Sequence, residues 1–120
     1  MSCCDFHAGM LTERVLIERR TVVPDAVGGS VDVWAGDPPN AQAAEFRPLS
    51  GTEAAMAQRL APTANYRCTI RFRAGTLGNP YYTPADRLLH RGRTFNILYV
   101  FDRKMEHRWI EMLLTEGRPS

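Results

Sequence analysis

A chain of 120 residues, 44% apolar and 23% charged, is long enough for one core without metal or disulfide staples, and its composition excludes wholesale disorder. No run nears the ~18 apolar residues of a membrane helix, and three cysteines, an odd count, do not make a disulfide framework. The net charge of +2 hides an asymmetry: residues 1–66 hold five basic and eight acidic side chains, residues 67–120 ten and five. Fourteen of the fifteen basic residues are arginine, the side chain suited to bidentate phosphate or carboxylate contacts. An arginine-rich half fits nucleic acid. It fits equally a subunit that docks its basic side on a neighbour's acidic side.

Residues 1–10 read as a flexible tail, with neither the basic start nor the apolar stretch of a signal peptide. Residues 11–116 read as one domain, and residues 117–120 as a C-terminal tail. Cys3, Cys4, Asp5 and His7 match no standard zinc spacing. A first strand runs from Leu11 to about Val23, with Val15 and Ile17 inward. Pro24-Asp25 and Gly28-Gly29 mark a turn, and Ser30–Ala35 reads as the hairpin partner, with Val31, Val33 and Ala35 set against Asp32 and Trp34. Pro38-Pro39-Asn40 is a loop, because consecutive prolines exclude ladder pairing. Ala41–Arg47 reads as a third strand.

Ser50 and Glu53 have the spacing of a capping box, and Leu49 stands where a hydrophobic staple would sit. The expected helix covers about 51–61 and stops at Pro62. From Tyr66 the period switches to two. Tyr66, Cys68, Ile70 and Phe72 face a core, while Arg67, Thr69, Arg71 and Arg73 form a basic, wet face. A Gly- and Pro-rich connection carrying Tyr81 and Tyr82 follows. Residues 87–90 and 93–101 form a hairpin, with Phe95, Ile97, Tyr99 and Phe101 on one face. Leu98 and Val100 occupy part of its other face, and a strand apolar on both faces is central or lies against a partner. The last strand, His107–Thr115, sets Ile110, Met112 and Leu114 against Trp109, Glu111 and Leu113. The sum is a mainly β fold, a small six- to seven-stranded barrel or sandwich with one short inserted helix.

Little here carries catalytic chemistry. His7, His90 and His107 are scattered, and no Gly-rich phosphate loop follows a strand. No enzyme, metal or cofactor is expected. Arg67, Arg71 and Arg73 with Arg87, Arg91 and Arg93 suggest a basic groove, but Tyr66 and Phe72 lie on the face opposite the strand arginines, away from a stacking platform.

The order of these pieces resembles the phage head–tail joining protein family, the head-closure (stopper) proteins of tailed-phage necks. The resemblance rests on Ala8-Gly9, Arg14-Val15, Asp25 with Gly28-Gly29, Trp34, Pro48-Leu49-Ser50-Gly51 with Glu53, Ile70-Arg71-Phe72-Arg73, and Arg91-Gly92-Arg93 with Phe95. It covers about residues 8–116. The resemblance implies a structural protein of a virion or gene-transfer-particle neck, made in the bacterial cytoplasm. It implies a homo-oligomeric ring with portal and adaptor above, the tail below, double-stranded DNA in the channel, and no membrane. Under it, Pro48, Leu49, Ser50, Gly51, Glu53, Arg71 and Arg73 are candidates for subunit or adaptor contacts. Pro38, Pro39, Asn40, Tyr81 and Tyr82 are candidates for a channel or ring-contact loop, and Arg91 and Arg93 for phosphate contact. The alternatives are a monomeric nucleic-acid-binding barrel and another neck or tail-completion component.

Overall fold

The computed structural model describes residues 8–37, 39–75 and 79–117. The period-two stretches form β1 (Glu13–Pro24), β2 (Ser30–Gly36), β3 (Gln42–Pro48), β4 (Tyr66–Arg71), β5 (Arg87–His90), β6 (Arg93–Asp102) and β7 (Trp109–Glu116), and the helical stretch forms α1 (Gly51–Gln58). All pairings are antiparallel, in the order β2-β1-β3-β4-β7-β6-β5. Leu16 and Ile17 of β1 pair with Leu89 and Leu88 of β5. That contact closes six strands into a barrel and leaves β2 outside it. Closure removes the edges that an open sheet of this size would expose.

The inward residues are those the alternation selects. Val15, Ile17, Cys68, Ile70, Leu88, Phe95, Ile97, Ile110, Met112 and Leu114 are buried in one cluster. Phe46 and Tyr66 stand edge-on to Phe95, with ring centroids 4.9 and 5.1 Å away, a geometry that adds about 0.5–1.5 kcal/mol per pair beyond area. The β5–β6 hairpin turns on Arg91 (φ +50°) and Gly92 (φ +79°). Two positive φ values in a two-residue loop make the turn type whose twist matches the flanking strands.

Three expectations need correction. On β6 the alternation breaks at a register shift between Ile97 and Tyr99. A bulge moves every later side chain to the other face, so Val100 packs on the core while Tyr99 is exposed. On β2, Val31 and Val33 are 45% and 43% exposed, because this strand pairs beyond the barrel and has no core beneath it. Finally, α1 ends at Gln58, with Leu60 N–H tightening back to the Ala57 carbonyl at 3.0 Å. Pro62 disfavours helical geometry at Ala61 and shortens the helix upstream of itself. The Cys3, Cys4, Asp5 and His7 group and most of both tails lie outside the described residues.

Glu18 of β1 pairs with Arg87 of β5 and with Gly36 of β2, and from Arg19 to Pro24 the strand pairs with β2. Barrel and projecting hairpin are thus one continuous strand. The molecule is correspondingly long, 59 × 27 × 27 Å.

Candidate functional site

The helix α1 lies outside the barrel over β4 and β7. Ser50 takes the extended N-cap backbone conformation but makes no side-chain cap, and Gly51 follows at φ +57°, a conformation that favours glycine. The capping box predicted from Ser50 and Glu53 does not form. Arginines outbid the Ser50 amide for the Glu53 carboxylate, since charge-assisted bonds are the stronger. Glu53 accepts both Arg47 terminal nitrogens, one at 2.6 Å, and Arg67 Nη1 at 2.8 Å. Arg67 also donates to Glu111 of β7, which accepts from Arg103 as well. The face expected to be basic and wet is therefore covered at Arg67 and Thr69 and open at Arg71. The Arg47 hydrogen bond holds the Glu53 carboxyl below its ordinary pKa against the opposing effect of desolvation. Leu49 packs with Ala57, Ala61, Ala64 and Leu113 in a second small cluster. Between helix and sheet runs a groove of about 460 Å³ lined by Leu49, Met56, Leu60, Phe101 and Leu113, with Glu53, Arg67 and Glu111 on one wall.

A second constellation sits at the root of the projecting hairpin. The Tyr81 ring lies between two guanidinium groups, Arg19 at 4.1 Å and Arg73 at 3.8 Å from its centroid, a cation–π arrangement on both faces. Its hydroxyl donates to Asp37 at 2.5 Å, and Arg73 Nη1 donates to the same carboxylate at 3.0 Å. The Tyr81 hydroxyl bond, with Arg73, pulls the Asp37 pKa down. Arg19 grips Asp86 through two 3.1 Å bonds. The two loops offered as alternatives, around Asn40 and around Tyr81, are thereby tied together. Pro39 and Asn40 are exposed, Tyr82 is buried in the barrel, and Pro38 lies outside the described residues.

At the β5–β6 turn, Arg93 holds Glu116 and Arg91 holds Glu13 at 2.8 Å. His90 Nε2 donates to the same Glu13 oxygen, 2.9 Å away, and its ring stacks on Phe46 with centroids 4.0 Å apart. The His90 bond is the main cause of the lowered Glu13 pKa.

Against known families, the model of the phage head completion protein matches residues 6–117. The chain belongs to that family. The fold is also met in solved structures. The solution structure of protein SF1141 from Shigella flexneri 2a is 23% identical, with a TM-score of 0.69 over 96% of this chain and 100% of that one. A chain from the virion of a native gene transfer agent particle is also 23% identical, with a TM-score of 0.57 over 89% and 96%. Among curated proteins none matches significantly. Membership of the head completion family supports a structural, virion-associated role.

The charge asymmetry of this head completion protein is largely spent inside the fold. The acids Glu13, Glu18, Asp37 and Glu53 of the first half pair with Arg91, Arg87, Arg73 and Arg67 of the second. The picture of an acidic side facing a basic neighbour loses four of its eight acidic and four of its ten basic groups this way, and sequence halves are the wrong unit for it. Among the described residues no group of three or more His, Cys, Asp or Glu could hold a metal, and no helix is long and apolar enough to cross a membrane. The groove was not legible in the sequence. Its one signal was Met56 and Leu60 facing outward on a short helix.

Proposed function

We propose that this head completion protein is a structural, non-enzymatic part of the particle neck, a ring between portal and adaptor above and tail below. The ring closes the channel on packaged double-stranded DNA and presents the surface on which the tail docks. The protein is made in the bacterial cytoplasm and ends in the virion or virus-like particle. The observation that carries this reading is the family match over residues 6–117.

The physical features support it. A closed barrel crossed by ion pairs is a rigid building block, and β7 is buried on both faces. In this reading Pro48, Leu49, Ser50, Gly51 and Glu53 place α1 for a subunit or adaptor contact, and Arg71, exposed beside Trp109, extends that surface. Pro39 and Asn40, in the loop that Asp37 ties to Tyr81, form with it the channel or ring-contact loop. A monomeric nucleic-acid barrel fits less well. Tyr66 and Phe72 pack on the core, and Arg67, Arg73, Arg91 and Arg93 already hold carboxylates. Base stacking and phosphate contact need both kinds of group free.

Deleting the gene tests the proposal. The expected product is DNA-filled heads that leak or lack tails, restored by the gene in trans. Normal infectious particles from the deletion would refute it.

A further inference from the structure

Beyond the barrel, β1 and β2 continue as a two-stranded arm. Residues directly opposite in an antiparallel pair share a face, so Val23 with Val31 and Thr21 with Val33 prolong the side that carries Val15 and Ile17 inside the barrel. At the tip Val27 is 90% exposed, and Val22 on the other face is 58% exposed. Two strands alone are marginal in water without a third strand or a packed face, and a β-branched ribbon with open edges is a template for pairing. Such an arm needs a cover.

The same chain carries a complementary concave surface. Met56 and Leu60, 61% and 57% exposed, flank the groove under α1, and Phe101 and Leu113 form its floor. Around the closed barrel β7 stands three strands from β1 in either direction, through β3 and β4 or through β5 and β6. The groove over β7 is thus on the side of the barrel opposite the strand that becomes the arm. A chain with a projecting apolar element on one side and an apolar recess on the other makes heterologous, head-to-tail contacts, which close into rings when the rotation allows.

We propose that the arm of one copy seats its valine face in the α1 groove of the next. The inference rests on the ring reading above and names the contact that builds the ring. Met56 suits such a recess, because its unbranched thioether side chain adapts to the shape that enters. One arm and one groove per subunit give each copy two such contacts. Together with the barrel flanks they can reach the roughly 1,200–2,000 Å² of a stable interface.

Trans cross-linking tests it. In full-length chains carrying Cys3→Ser and Cys4→Ser, with buried Cys68 kept, one copy carries Val27→Cys and another Met56→Cys. The two are co-assembled into rings or particles and treated with a short bis-maleimide. The expected result is a covalent dimer from the mixture and none from either variant alone. Rings visible by electron microscopy without mixed dimers would overturn the arm contact while leaving the ring reading intact. Capture of the Val27→Cys copy by a different particle protein would overturn it too and assign the arm to another partner. Failure to assemble in any context removes both readings. Independently, Val31→Asp with Val33→Asp should weaken association at least tenfold while leaving the barrel's thermal unfolding within a few degrees, since both sites lie outside the barrel. Unchanged association would refute the contact.

Discussion

Replacing Glu111 with Gln keeps the shape of the side chain and removes its charge from under Arg67 and Arg103. Glu111 is 5% exposed, and the Arg67 and Arg103 side chains are 16% and 19% exposed, so water screens these charges weakly. Breaking a buried pair by removing one partner costs about 3–5 kcal/mol. Arg67 keeps Glu53 at 2.8 Å, which places the expected loss near the lower end, about 3 kcal/mol. For a domain with roughly 5–15 kcal/mol of stability that is a large share. It corresponds to a fall of about 1–3 M in the urea midpoint for slopes of about 1–3 kcal/mol/M. Equilibrium urea unfolding followed by tryptophan fluorescence reads it directly. Glu53→Gln serves as the contrast, because its side chain is 34% exposed and partly screened, so about 1 kcal/mol is expected. Glu111→Leu combined with Arg67→Met and Arg103→Met removes the carboxylate together with both of its guanidinium partners and should recover most of the loss. If Glu111→Gln changes stability by less than about 1 kcal/mol, or the Glu53 variant proves the worse of the two, the ladder is solvated and the reasoning fails.

Two further outcomes follow from the same ion pairs and turn. Glu13, Asp37, Glu53 and Glu116 all have pKa values lowered by hydrogen bonds from His90, Tyr81, Arg47 and Arg93 respectively. Their folded values lie below the unfolded ones, so their stabilisation is complete above about pH 4.5 and is lost as pH falls through the folded values. Urea midpoints should be flat from pH 7 to 5 and drop below pH 4; a flat profile down to pH 3 would contradict the assignment. Gly92→Ala puts a β-carbon at φ +79° where nothing lies within 4 Å, so only backbone strain of about 1–2 kcal/mol is expected. Gly92→Asn, better tolerated there, should lose less, and equal losses would point to a steric cause instead.

The strands and their inward faces were legible because alternation is a local signal that burial only amplifies, as in Cys68 and Ile70 or Ile110, Met112 and Leu114. Barrel closure through Leu16 and Leu89 was not, since a pairing across more than seventy residues leaves no trace in spacing. The β6 bulge hid for a related reason. Every residue from Phe95 to Phe101 but Asn96 is apolar, so no polar marker showed where the faces swap. Around the candidate site, the Ser50-to-Glu53 spacing described a real helix start but the wrong bond. The competing arginines at 47 and 67 reach Glu53 from strands on either side of α1. The same distance dependence misled the charge count, whose two halves interleave in space. The sequence shows Tyr81 only as a loop aromatic, because its bridging of two loops depends on Arg19, Arg73 and Asp37, three partners spread over the chain.

The length of β1 has a mechanical consequence. Its twelve residues span roughly 40 Å at about 3.3 Å per residue, with one end woven into the barrel and the other at the exposed tip. Glu18 carries ladder partners on both sides at the junction, and directly beyond it Arg19, clamped by Asp86 and stacked on Tyr81, braces the strand where a hinge would have to form. The arm therefore behaves as a lever with a fixed fulcrum: a load at Val27 is felt by the hydrogen-bond ladder of the barrel wall, and a distortion of that wall swings the tip.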